Sequence, residues 1–329
     1  MFDSILHVAR VPFVRDVTTM QVGRLVMIGS SFLASILYVR FLGLGGYGEY
    51  AVILAYTGTV GLFTNLGQQA TTLTFFAEAY GRKDRGALAR VFHYYVMTAV
   101  GTALLLVLLA VASPVITSWI YGRGSVGLLA GLVFVSSICE LPFIFVSIVL
   151  QTVREIRLLT LLENTKSLLQ MSTAVVLLLA GFGVAGVLTG SIIAAFSFSI
   201  AGIGLSLRLQ RKYDLPTLRE ALGAGNVACF LRYSKDGFWI AIDKSLGNLY
   251  PNIFLFVFST QVSPSVVGLL RLGMKLADLP SSFVLSSISR LASSAVPVMV
   301  GRGKTVLGAS LIKLIKHTVA LHLTVSLVA

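Results

Sequence analysis

The chain has 329 residues, of which 56% are hydrophobic and only 12% charged, with a formal net charge of +13 and a mean hydropathy of +0.89. Soluble domains are about 25% charged, so the composition excludes an ordinary soluble enzyme or binding module and indicates an all-α polytopic membrane protein. It also excludes nucleic acid as the reason for the positive charge, because short cytoplasmic loops of membrane proteins collect Lys and Arg.

Residues 1–21 hold Asp3, Arg10, Pro12, Arg15 and Asp16, without a signal-type apolar core, and read as a cytosolic tail. The first span covers 22–42, with Arg24 and Arg40 near its ends. GLGGYG at 43–48 follows a span instead of a strand, so it reads as a tight interhelical turn and not a dinucleotide loop. The second span, 50–75, carries Asn65, Gln68, Gln69 and Thr72, and Asn65, Gln68 and Thr72 fall near one helical face. A charged loop over 78–90 follows.

The third span, 91–113, is expected to break at SPVITSW, and the fourth, 126–150, contains Cys139, Glu140 and Pro142. The stretch QTVREIRLLTLLENTK reads as a short charged loop that starts the fifth helix near 158. The sixth span, 184–207, has glycines that suit close packing in lipid. Residues 208–225 are the most polar stretch and read as a cytosolic linker between lobes. The seventh span begins near 228, the eighth covers 265–291 with a kink expected at Pro280, and a ninth starts after Lys304.

The organisation expected is therefore a two-lobed helical bundle. A six-helix lobe covers 22–207, and a partial second lobe over 226–329 holds two full helices and part of a third. The pattern of 41–90 returns more loosely at 258–304, as in proteins built from two related halves. The final IKHTVALHLTVSLVA is still apolar, which makes an incomplete second lobe the expectation. Loops after spans two, four, six and eight hold eleven basic residues, from Arg82 to Lys304, whereas Arg123 stands almost alone in the opposite loops. A multi-pass inner (plasma) membrane protein with a cytoplasmic N-terminus follows.

Charged groups at membrane depth are costly unless they face a cavity or a partner. Arg271, Lys275 and Asp278 share one face of the eighth span, and Lys244, Asn248 and Asn252 form a stripe on the seventh. Together they could line an electropositive groove that binds an anionic group by charge-assisted hydrogen bonds. Internal pairing is the alternative, above all for Asp278 and Asp243. Arg24 either faces a cavity partner, as the resemblance given below implies, or reaches the cytosolic interface. Asn65, Gln68 and Thr72 either bond a polar substrate or tie helices together. Glu140 is either a proton-exchanging acid or a packing partner. Cys139 and Cys229 lack metal-ligand spacing, and the four histidines do not cluster, so neither metal nor cofactor is expected. VGRGKT at 300–305 lacks the first glycine of a nucleotide loop, since position 298 is Val. No nucleophile–base set suggests an enzyme.

The stretch LGLGGYGEYAVILAYTGTVGLFTNLGQQATTLTFFAEAYGRKDRGAL resembles the polysaccharide-biosynthesis flippases, the Wzx-like exporters of the multidrug/oligosaccharidyl-lipid/polysaccharide superfamily. The carriers of the resemblance are the Gly/Tyr turn through Tyr50, Asn65-Leu66-Gly67, Glu78 and Gly81-Arg82-Lys83-Asp84. VVGLLRLGMKLADLP is similar to the family's second-half motif, with Leu270 for an aromatic and Lys275 for an arginine. GNLYPN at 247–252 departs from the family's seventh-helix patch, which has a carboxylate and an arginine. The resemblance implies alternating access between two lobes and export of a polyprenyl-pyrophosphate-linked oligosaccharide. Membrane lipids and a polysaccharide polymerase complex are the implied partners. A cation-coupled multidrug antiporter, or an inactive remnant of a flippase gene, is the alternative.

Overall fold

The structure, a computed structural model, describes residues 12–65, 68–225 and 227–277. Every regular element among them is a helix. In chain order these are α1 (Pro12–Asn65), α2 (Gln68–Gly81), α3 (Arg85–Tyr121), α4 (Gly124–Thr152), α5 (Ile156–Leu179), α6 (Gly183–Lys212), α7 (Leu218–Ala224) and α8 (Val227–Gln261). A last helical stretch, α9, runs over 264–277.

Gly43 divides α1 into two passes. Its φ of 68° and ψ of 174° interrupt the helix, in a region that is essentially glycine-only. The chain folds back there. Tyr38 and Tyr50 stack edge to face at 5.8 Å, whereas twelve residues of continuous helix would separate them by about 18 Å. The turn expected over 43–48 is thus confined to Gly43, and 45–48 are helical. Gly43→Ala forces a Cβ into this conformation and is expected to cost about 1–3 kcal/mol. A thermal midpoint equal to that of the unsubstituted protein would contradict the strain assigned to this turn.

Four helical stretches among the described residues are long and apolar enough to cross a membrane: Val22–Leu62, Arg85–Tyr121, Gly124–Thr152 and Gly183–Lys212. The first crosses twice because of Gly43. The outer stripe of α3 includes Leu104, Leu108, Val111, Val115 and Trp119, all exposed, as a lipid-facing surface requires. The chain is a multi-pass membrane protein.

The break expected at SPVITSW is absent, and α3 continues through Pro114 to Tyr121. Proline removes a backbone donor, yet it is tolerated inside membrane helices. Here Ser113 Oγ donates to Leu109 O at 2.6 Å and Thr117 Oγ1 to Ser113 O at 2.8 Å. The Tyr56 hydroxyl lies 2.9 Å from Ser113 Oγ.

α4 is the central helix, touching α1, α2, α3, α5 and α6. The aromatic rings of Phe76, Phe92, Tyr95 and Phe145 form the core at one end, with Phe92 and Phe145 stacked at 4.2 Å. α8 meets α1, α2 and α3. α9 begins against α1, where a Cβ on Gly48 would stand 1.8 Å from the Pro264 carbonyl oxygen. Only glycine permits that approach.

The loops after α2, α4 and α6 form one charged end. Asp84 caps α3 by accepting from Ala87 N at 2.8 Å, and Glu78 pairs with Arg82. Arg85 bridges to Asp214 and to Glu220, the latter at 3.1 Å. Glu155 accepts from Lys212 Nζ at 2.6 Å and from the Tyr213 hydroxyl. The hydrogen bond from Lys212 is the main cause that lowers the Glu155 carboxyl below its ordinary value of 4.5. Stability from this clasp is therefore present above that value and lost as pH falls through the lowered one. Glu155→Gln should remove this part of the acid sensitivity, a change below about 1 kcal/mol because the pair faces solvent. An unaltered acid unfolding profile would show the clasp to be idle.

The linker expected over 208–225 is more ordered than its polarity suggests. α6 reaches Lys212, and Thr217 caps α7 by accepting from Glu220 N at 3.3 Å. Of the stretch expected to form a second lobe, α8 and 264–277 are described. The expectations for the later helices, including the kink at Pro280, lie outside the described residues.

Candidate functional site

Among the described residues, two polar clefts open between apolar helices and share lining side chains. The larger, about 490 Å³, lies between α1, α2, α4 and α5. Its polar lining is Gln69, Glu140, Ser147, Glu163, Lys166, Ser167 and Gln170. The smaller, about 130 Å³, lies between the two passes of α1, α5 and α9. Ser30, Ser31 and Ser35, three tyrosines, Arg271 and Lys275 line it. Ser167 and Gln170 border both, so one polar track runs from α4 to α9.

Helical phase explains the track. Glu163, Lys166, Ser167 and Gln170 recur at i, i+3, i+4 and i+7 and share one face of α5. Lys166 Nζ pairs with the Glu140 carboxylate and lies 5.0 Å over the Phe143 ring. At the other end, Lys275 Nζ donates to Ser31 O at 2.9 Å and to Ser35 Oγ at 2.5 Å. Arg271, one turn earlier, faces the same space. Among the described residues neither Arg271 nor Lys275 makes an ion pair. The Lys275 ammonium meets neutral oxygens there, the Ser31 carbonyl and the Ser35 hydroxyl.

The residues singled out from sequence fall into four groups. Arg271 and Lys275 are brought together in the smaller cleft. Glu140 lines the larger one, where it is ion-paired. Gln68 and Thr72 share a face, as their spacing predicts, but that face is buried. Gln68 Nε2 donates to Tyr95 O at 3.2 Å and to Thr98 Oγ1 at 2.9 Å, tying α2 to α3. Thr72 is fully buried, and its hydroxyl has no partner among the described residues. Asn252 sits at the α1–α8 seam, where its backbone carbonyl accepts from Thr59 Oγ1 at 3.2 Å and its side chain abuts Gly58. Arg24 borders neither cleft, and its Nε is buried without a partner among the described residues. The side chains of Asn65, Asp243, Lys244 and Asn248, and all of Asp278, lie outside the described residues.

Gln69, Glu163, Lys166, Ser167 and Gln170 were not among the candidates. The i, i+3, i+4, i+7 spacing in ENTKSLLQ is the signal that could have found the last four.

A model of the family described as polysaccharide biosynthesis protein matches residues 13–301. The chain belongs to the polysaccharide biosynthesis protein family. No curated protein matches it in sequence. Among solved structures, one described as "protein A" is similar with a TM-score of 0.72 at 12% identity, over 88% of this chain and 66% of that one. A MATE crystallised in complex with MaL6 is similar with a TM-score of 0.67 at 16% identity, covering 94% and 70%. A MOP superfamily transporter from Pyrococcus furiosus, described as having a binding pocket of reverse polarity, gives 0.62 at 15% identity, covering 94% and 70%. This member of the polysaccharide biosynthesis protein family thus has the MATE-type fold and spans about two thirds of the length of these structures. Among its described residues no group of three or more His, Cys, Asp or Glu could hold a metal.

Proposed function

We propose that the protein moves a polyprenyl-pyrophosphate-linked oligosaccharide from the cytoplasmic to the outer leaflet of the inner membrane, for assembly of a cell-surface polysaccharide. One observation carries this reading. Arg271 and Lys275 stand side by side in a cleft otherwise lined by hydroxyls and tyrosine rings, with no carboxylate among its described lining residues. Cations at membrane depth are costly unless an anion compensates them, and no ion partner for these two stands among the described residues. A pyrophosphate supplies two or more negative charges and acceptors for both side chains. The polar track beyond it offers hydrogen-bonding groups to the attached sugar, while the lipid tails remain in the bilayer. The charged loop end would face the cytoplasm, and a polysaccharide polymerase complex would take the product.

Deletion of the gene in its source organism tests this reading. Lipid-linked oligosaccharide should accumulate in the cytoplasmic leaflet while surface glycan is lost, and the native gene should restore both. Unchanged glycan pools together with lost resistance to cationic drugs would instead establish a multidrug antiporter.

A further inference from the structure

The outer side of α6 carries an apolar stripe that ends in two arginines. Phe196, Ile200, Ile203 and Leu207 are each more than half exposed and recur at i, i+4, i+7 and i+11, so they share one face. Arg211 continues the same phase at i+15, and Arg208 follows Leu207 directly; both are exposed. From Phe196 to Leu207 the helix rises about 16 Å. One leaflet's share of the hydrocarbon core is about 15 Å. The stripe thus spans one leaflet, and the arginines stand where its headgroups begin.

The neighbouring charges are committed elsewhere. Lys212 pairs with Glu155, Arg85 with Asp214 and Glu220, Arg82 with Glu78, and Arg90 with Asp84. Among the described residues neither Arg208 nor Arg211 makes an ion pair. The turn after α6 leads to α7, where Leu218 and Leu222, one turn apart, are again half exposed. Leucines at this charged end are better placed in the apolar boundary of a headgroup layer than in water.

We infer that the end of α6 is a binding site for an anionic phospholipid, with an acyl chain along the Phe196–Leu207 stripe and the phosphate bonded by Arg208 and Arg211. Guanidinium forks match phosphate oxygens in paired, charge-assisted hydrogen bonds. A zwitterionic lipid carries its own cation beside the phosphate, so the unpaired arginines favour the anionic headgroup. The site shares no lining residue with the two clefts. It anchors the corner between α6 and α7 at headgroup depth, just before the chain passes into α8.

The test places a reporter in the stripe of the full chain by Leu207→Trp, with Trp119→Phe and Trp239→Phe removing the two native indoles. Reconstituted in nanodiscs, this tryptophan is quenched only by brominated chains in contact with it. Phosphatidylglycerol and phosphatidylcholine with identical brominated chains therefore give a relative affinity at the stripe itself. One basic residue near an anionic headgroup contributes about fivefold, so phosphatidylglycerol should be preferred by at least about that factor, less at high salt. Arg208→Gln with Arg211→Gln should bring the ratio toward one, and Lys at both positions should retain most of it. Lys83→Gln with Arg123→Gln removes the same charge elsewhere and should leave the ratio unchanged. A ratio of one with both arginines present, or one untouched by the Gln pair, would overturn the site. Displacement of the lipid by soluble glycerol phosphate as readily as by added phosphatidylglycerol would overturn it too, leaving a phosphate site without its acyl stripe. Quenching by neither lipid would mean that protein covers the stripe, as in a pair of chains, and would equally overturn the assignment.

Discussion

Replacing Arg271 and Lys275 together with Ala should abolish export of surface glycan while leaving the protein in the membrane at its normal level. The pair contributes the positive charge of the smaller cleft, and Lys275 is held toward that space by Ser31 and Ser35. Hydrogen bonds to charged groups are worth about 1.5–3 kcal/mol each. Removing both should weaken binding of a lipid pyrophosphate by about a hundredfold or more. The Lys275 contacts also tie α9 to α1, so a purely structural role has to be separated from binding. Lys275→Arg keeps the charge and should retain most of the affinity, whereas Lys275→Met keeps much of the bulk and should lose it. Equal pyrophosphate affinity in the Arg and Met variants would reduce Lys275 to a tie between helices.

Glu140→Ala should be among the most destabilising single changes in the first bundle. It leaves the Lys166 ammonium, only 14% exposed, without its carboxylate. Breaking a fully buried pair costs about 3–5 kcal/mol and an exposed one below about 1 kcal/mol. The Glu140 side chain is 38% exposed toward the cleft, which places the expected loss near 2 kcal/mol. Adding Lys166→Met removes the orphaned charge and should recover most of the thermal stability, a compensation that a double-mutant cycle measures directly. A further loss on adding Lys166→Met would show that the two residues do not act as a pair. Glu140→Gln separates pairing from proton coupling. Normal glycan export by a stable Gln variant would remove any role for Glu140 in carrying a proton.

Much of the helical order was readable from hydrophobic run length, because a bilayer demands about 20 apolar residues per pass. The Gly/Tyr turn was readable too, and the structure adds its physical cause. Gly43 alone adopts the conformation that reverses the chain, Tyr47 is buried, and Gly48 admits the start of α9. α5 was less legible. Glu163 and Lys166 lower its hydropathy, and a helix start expected near 158 does not say which way its polar face turns. Pro114 misled in the other direction, since sequence does not reveal that α3 continues through it to Tyr121.

The candidate site illustrates a more general limit. Spacing correctly grouped Gln68 with Thr72 and Arg271 with Lys275, because faces follow from 3.6 residues per turn. It could not state which neighbour each face meets. The Gln68 face turns into α3, while Gln69, one residue on, opens to the larger cleft. That choice is made by tertiary packing, through the backbone of Tyr95 and the hydroxyl of Thr98.

The central claim is tested most directly by reconstituting the purified chain into liposomes that contain a fluorescent prenyl-pyrophosphate-linked oligosaccharide. A membrane-impermeant glycosidase then reports how much glycan reaches the outer leaflet. The account predicts that nearly all of the probe becomes cleavable over time, against about half in protein-free liposomes, and that the Arg271→Ala/Lys275→Ala variant stays at the protein-free level. Accessibility that remains at one half with the folded, unsubstituted chain would contradict it.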